Sequence, residues 1–275
     1  MHTFQMVERL IRVDALVTVL NQSKPKGFYF PGESHDFWEG VFVYEGHVTA
    51  TSDERVYQLD SGKLLFHKPM EFHRIWSEDV DESRYVNISF RASGEGMQRF
   101  ENSCFDLSAE QQKRFWEVVE AFQRTLELHT SGEERQYKMS VGLTAARLEA
   151  FLLELSETGE YTHRTRSEDE IRYTRIVNVM KENSHKSLSL SDLAALCDLS
   201  VSNMKRIFRC FSDVGVAKFF MSLRIRRAME LLDQGLSASE VADRLDFAES
   251  SYFYTVFKRE TGITPSDYRK SHHLL

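Results

Sequence analysis

Two groups of side chains in this 275-residue chain have the types and spacing that chemistry needs. The first is Glu33, His35 and Glu39, followed at a distance by His73. Alternation along a strand turns His35 and Glu39 to one face. An imidazole with carboxylates at that spacing can hold a divalent metal, can hydrogen-bond an organic ligand, or can persist as part of the fold alone. Phe37, Val41 and Val43 share the parity of His35 and Glu39, so a pocket here is apolar with few polar anchors, as small-molecule sites tend to be. Trp38, Phe42 and Tyr44 face the other way. The expected contacts are Glu33, His35, Phe37, Glu39, Val41 and His73, made to an organic effector, with no metal and no cofactor.

The second group lies near the other end and occurs twice. LSLSDLAALCDLSVSNMKRIF, from Leu188, matches LSASEVADRLDFAESSYFYTVF, from Leu236, with one extra residue in the second copy's turn. Each copy opens on a serine followed three residues later by an acid, Ser189 with Asp192 and Ser237 with Glu240, the capping-box signature of a helix start. A short helix, a tight turn at Asp198-Leu199 or Asp246-Phe247, and a second helix follow. In the first copy Met204, Ile207 and Phe208 share the buried face, leaving Ser202, Asn203, Lys205, Arg206 and Arg209 outside. In the second, Phe253, Val256 and Phe257 are buried, leaving Ser250, Ser251, Tyr254, Thr255 and Lys258. Both outer faces put hydrogen-bonding groups near a helix N-terminus, where a recognition helix meets base edges. A helix from about Val216 to Asp233 joins the copies. Its length of roughly 27 Å, with the turns at its ends, sets the two outer faces about 34 Å apart, one turn of B-DNA.

The elements that must hold these groups fall into two classes. From Phe28 to Phe90 the chain reads as short strands, FYF, WEGVFVYEG, HVTAT, RVYQL, KLLFH and RYVNISF, broken by turns, the pattern of a sandwich or barrel. Amphipathic helices are predicted over Ser108–Leu128 and Glu134–Leu155. SETGEYTHRTRSED is polar and aperiodic. The expected fold class is α+β: a β-barrel with two helices over residues 1–158, a linker over 159–168, and an all-helical domain over 169–275.

Charge divides along the same line. The net charge is −7, but from Glu168 onward there are 16 Lys and Arg against 15 Asp and Glu, leaving 19 against 27 upstream. The last part can therefore approach phosphates without strong repulsion. Charges interrupt the apolar residues of MHTFQMVERLIRVD, so no signal peptide or membrane span is read there, and a cytoplasmic location is expected. Cys104, Cys197 and Cys210 have no metal-site or disulfide spacing and are expected as buried thiols.

Residues from about Ile171 to Lys270, above all SYFYTVFKRETGITPSDYRK, resemble the DNA-binding domain of the AraC/XylS regulators. The resemblance implies a transcriptional regulator, more often an activator, contacting two major-groove segments through Ser202, Lys205, Arg206, Ser251, Tyr254 and Thr255. Its partners would be double-stranded DNA, a small-molecule effector, a second copy of the chain in a homodimer and, for an activator, RNA polymerase. Where the family usually has glycine in each turn, this chain has Asp198 and Asp246, which tolerate the left-handed backbone better than most residues. Val216 stands for the proline of the first copy, and Thr255 for a frequent arginine.

HDFWEGVFVYEG and DSGKLLFHKPMEFH are similar to the cupin-type barrels with which such regulators sense small molecules. Metal-binding cupins follow HxHxxxE and GxxxxxPxGxxH; here Glu33 replaces the first histidine and Met70 a glycine. The chain is read as a non-enzyme. The alternatives are a metal-dependent cupin enzyme with a DNA-binding tail, against which the missing histidine speaks, and a DNA-repair methyl acceptor, for which Cys197 and Cys210 lack an evident activating histidine.

Overall fold

A computed structural model describes residues 8–77, 82–131, 133–157 and 167–272, and divides the chain into two compact units, 1–165 and 166–275. Most of the expected linker, 159–166, lies outside the described residues. Its last two positions are corrected: Ser167 caps a helix and Glu168 begins it, because a Ser-x-x-Glu box is a helix start rather than loop.

The first unit is built on two antiparallel sheets. One has the order β1 (Arg12–Lys24), β7 (Ser83–Ser93), β2 (Trp38–Glu45), β5 (Lys63–His67), β8 (Cys104–Asp106); the other runs β4 (Arg55–Asp60), β3 (His47–Ser52), β6 (His73–Trp76). Their facing sides bury Val41, Val43, Leu65 and Tyr85 against Val48, Ala50, Leu59 and Ile75. The outer side of the five-stranded sheet, with Trp38, Phe42, Phe66, Ile88 and Phe90, packs against Phe115 and Phe122 of α1 (Ala109–Ser131) and Leu148 and Phe151 of α2 (Glu134–Ser156). The parity read along β2 is thus the real one, with odd residues between the sheets and even ones under the helices. β1, β6 and β8 were not read from sequence, and Phe28–Phe30 is not a strand: only Tyr29 makes a bridge, to Trp76.

The second unit is helical: α3 (Glu168–Glu182), α4 (Leu190–Leu196), α5 (Val201–Phe211), α6 (Val216–Asp233), α7 (Ala238–Arg244), α8 (Ser250–Thr261) and α9 (Pro265–His272). α6 packs against α3 and against α7, α8 and α9. Ile225, Leu232, Val241, Phe253, Val256 and Phe257 form the core of the second half. Cys104 and Cys197 are buried, but Cys210 is exposed, because it lies one position off the buried stripe Met204, Ile207, Phe208, Phe211. Among the described residues no helix is long and apolar enough to cross a membrane.

Candidate functional site

Both halves of the helical unit are set by the same local devices. Ser189 and Ser237 cap α4 and α7, each accepting from the backbone N–H of its acid partner, Asp192 or Glu240, whose carboxylate accepts from the serine N–H in return. Each box satisfies two of the orphan donors of a helix start. The turns are Schellman endings. Asp198 and Asp246 stand at φ 54° and 53°, and the N–H groups of Leu199 and Phe247 reach back to the carbonyls of Ala194 and Ala242 at 2.9 and 3.0 Å. Aspartate thus holds the left-handed position in both turns. The second turn is held further by Arg224 of α6, whose guanidinium donates to the carbonyls of Leu245 and Asp246 and lies 4.1 Å over the Phe247 ring. Thr264 starts α9 just after Gly262 ends α8 at φ 81°: its hydroxyl accepts from the Asp267 N–H at 3.2 Å and donates to the Asp267 carboxylate at 2.6 Å.

α5 and α8 then present the expected polar faces. Ser202, Lys205, Arg206 and Arg209 are exposed and line one groove with Cys210, while Asn203 is half-buried. On α8, Ser251, Tyr254, Thr255 and Lys258 are exposed and Ser250 half-buried. Several of these groups already have partners. Arg206 donates to both carboxylate oxygens of Asp169 at 3.2 and 3.3 Å, and to Asn203 Oδ1 at 3.3 Å. The Thr255 hydroxyl donates to the Ser251 carbonyl at 3.0 Å, and the Tyr254 hydroxyl lies 3.4 Å from Ser266 Oγ. The sequence reading missed the part played by α3. Its Arg172 and Arg175 line a second groove with Asn203 and Asp198. Asp169, Arg172 and Arg175 recur at every third position, which marks one helix face.

In the first unit the other candidate residues converge at one end of the two sheets. Glu39 of β2 lies opposite His67 of β5, and His73 of β6 pairs with Ser52 of β3. The segment before β2 crosses this end: Glu33 and His73 exchange backbone N–H···O bonds of 3.0 Å each. Gly32 makes that approach possible, since a Cβ there would sit 2.6 Å from the Phe72 ring and 2.7 Å from the His73 carbonyl. The carbonyl of His35 accepts from Met70 N–H at 2.6 Å, so Met70 keeps the left-handed φ of 61° that the glycine of the pattern would favour. Glu33, His35, Glu39 and His73 each offer a ligand atom, and all four atoms lie within 4.8 Å of one another. Phe37 stacks on His35 at 3.8 Å, but Val41 is fully buried in the inter-sheet core, below the group.

The electrostatics of this cluster follow from its burial. Glu39 is raised to about 7, first by desolvation and then by the charge of Glu33. Desolvation lowers His35 and His73 and takes His67 down to about 3, as expected when the charged form of an imidazole leaves water. Sequence reading missed His67 and Glu71: His67 Nδ1 lies 3.0 Å from Glu71 Oε1, and the His67 ring stacks on His73 at 4.2 Å. The parity of β5, which turns Lys63, Leu65 and His67 to one side, was the available signal.

Similarity to characterised families covers both units. Residues 19–127 match the model of the AraC-like ligand binding domain, and residues 193–271 that of a helix-turn-helix domain. The chain is 23% identical over 245 residues to the HTH-type transcriptional activator RhaR of Mannheimia succiniciproducens, covering 87% of each chain. It is 26% identical over 247 residues to the MmsAB operon regulatory protein of Pseudomonas aeruginosa, covering 86% of this chain and 76% of that one. Among solved structures, ToxT of Vibrio cholerae O395 is similar over 95% of this chain and 98% of its own, at 15% identity and a TM-score of 0.39. A ligand-binding domain followed by a doubled helix-turn-helix unit defines a small-molecule-controlled transcriptional regulator. The chain belongs to the AraC family.

Proposed function

We propose that this regulator reads DNA with α5 and α8, each placed in the major groove, and that Lys205 and Arg206 carry most of the base readout. The observation behind this is the pair of exposed polar faces on helices started and turned by the same devices. The weighting toward α5 follows from side-chain type: its exposed face carries Lys205, Arg206 and Arg209, whereas the expected polar face of α8 carries the hydroxyls of Ser251, Tyr254 and Thr255 with Lys258, and so offers no guanidinium fork to pair bidentately with a base. Ser202, Asn203, Arg209, Ser250, Ser251 and Lys258 would contribute backbone and flanking contacts.

The effector would bind at the Glu33, His35, Phe37, Glu39 and His73 cluster. A ligand that prefers one arrangement of the first unit shifts the balance between states and so promoter occupancy. Activation through RNA polymerase is the preferred sign, in keeping with the activator RhaR. The active form would be a cytoplasmic homodimer. On α2, Met139, Leu143, Ala146, Ala150 and Leu153 stand exposed at alternating steps of four and three residues, the spacing of a coiled-coil seam.

The test replaces Lys205 and Arg206 with alanine in the full chain. Loss of a bidentate base contact costs about 1–3 kcal/mol and relaxes preference at that position. The double variant should therefore bind its operator at least tenfold more weakly and discriminate less in one half-site, as read by gel shift against a half-site mutant series. Unchanged affinity and preference would remove α5 as the reader.

A further inference from the structure

The cluster at the end of the sheets contains two imidazole nitrogens that have no hydrogen-bond partner among the described residues. His35 Nδ1 lies 3.0 Å from the Phe37 carbonyl, and His73 Nδ1 lies 3.2 Å from the Glu71 carbonyl. A carbonyl can only accept, so each ring carries its proton on Nδ1 and turns a bare Nε2 lone pair into the cluster. Both Nε2 atoms are buried without a hydrogen-bond partner among the described residues. His73 Nε2 lies 3.6 Å from Glu39 Oε1 and 3.9 Å from Glu33 Oε1, and His35 Nε2 lies 3.9 Å from Glu39 Oε2. These separations are too long for hydrogen bonds. Four ligands at ~2.1 Å from one ion stand about 3.4 Å apart in a tetrahedron, and opposite ligands of an octahedron about 4.2 Å.

From this geometry we infer that Glu33, His35, Glu39 and His73 bind a divalent first-row transition-metal ion. Leaving two imidazole lone pairs bare beside a nearly dry carboxylate is costly, because buried polar groups are ordinarily paired. A metal ion satisfies all of them at once. It also brings positive charge to the two carboxylates, Glu33 and Glu39, that share the cluster. The backbone carbonyls that fix the two rings are the outer-shell partners a metal-ligating histidine usually has, and the stacked His67, held by Glu71, keeps His73 in place. Two imidazoles with carboxylates favour zinc, iron, cobalt or nickel over magnesium and calcium, which take all-oxygen sites. His35 and His73 lie inside, and the half-exposed Glu33 stands on the solvent side, where exchangeable ligands would enter.

The inference rests on reading this cluster as a binding site, but not on the DNA reading. Its test uses the full chain without DNA, stripped with chelator and dialysed against Zn2+, with Mg2+ as the control ion. About one Zn2+ per chain and a raised melting temperature are expected, with no effect of Mg2+. His35→Ala with His73→Ala should abolish both; Glu39→Gln and the surface change Glu33→Gln should each weaken Zn2+ binding by tenfold or more. X-ray absorption at the zinc edge of the unmodified protein should show imidazole and oxygen neighbours, a readout independent of how any variant folds. Undiminished Zn2+ binding in the double histidine variant, a sulfur neighbour, or no Zn2+ retained by the wild type would overturn the inference. Failure of the operator test leaves these outcomes untouched, and a chain that binds no Zn2+ could still read DNA.

Discussion

Arg206 is held by the protein in the grip that DNA would need. Its guanidinium gives two hydrogen bonds to Asp169 and a third to Asn203, the fork geometry by which arginine also meets guanine or phosphate. The pair is exposed on both sides, so solvent screening leaves it little weight in stability. Its consequence is for binding: to meet a base, Arg206 must first leave a carboxylate that also repels the phosphate backbone. Asp169→Asn should tighten operator binding several-fold while barely moving the thermal transition, as read by fluorescence anisotropy and calorimetry. A drop in affinity would instead show that Asp169 orients Arg206 for reading.

The helices carry a second consequence. α2 buries Leu148, Phe151, Leu152 and Leu155 against the sheet side of the unit and leaves Met139, Leu143 and Leu153 open, with Met139 and Leu143 each 60% exposed. Burying a leucine side chain is worth about 1.5–3 kcal/mol, so a charge at the centre of this seam should be decisive for assembly. Leu143→Glu is expected to sediment as a 32.1 kDa monomer where the wild type sediments as a dimer; a variant that sediments like the wild type would show that α2 is not the seam. How far such elements can be read from sequence depends on where their signals lie. The caps, turns and buried stripes of the two helix-turn-helix units were legible, because a capping box, a left-handed turn residue and a 3.6-residue stripe are all written within about two dozen positions. β1 was not, because the register shifts between Val13 and Ala15 and between Leu16 and Thr18 break its alternation. β6 and β8 have four and three residues and pair with distant segments, so their patterns are too short to register. The same holds for the candidate cluster in the first unit: Glu33, His35, Glu39 and His73 were singled out by type and spacing, whereas His67 and Glu71 lie beside them only through sheet register.

For the molecule as a whole, charge and packing divide at the same place. Each compact unit has its own core, one between and beneath the sheets and one around α6. The acidic excess of eight belongs to the residues before Glu168, while those from Glu168 onward carry a net charge of about +1. Residues 167–275 are therefore expected to fold alone and bind DNA without responding to any effector of the first unit. Tethering the acidic unit to this fragment places a like charge near every phosphate that the fragment approaches. The fragment should accordingly bind a random-sequence duplex more tightly than the full chain at low ionic strength. The Debye length shrinks from about 30 Å at 0.01 M to about 8 Å at 0.15 M salt, so a difference due to charge must close as salt is raised. Anisotropy titrations of both proteins across that range measure it directly. Curves that converge support long-range repulsion by the first unit; a gap of constant size would mean that the first unit obstructs the reading helices by contact.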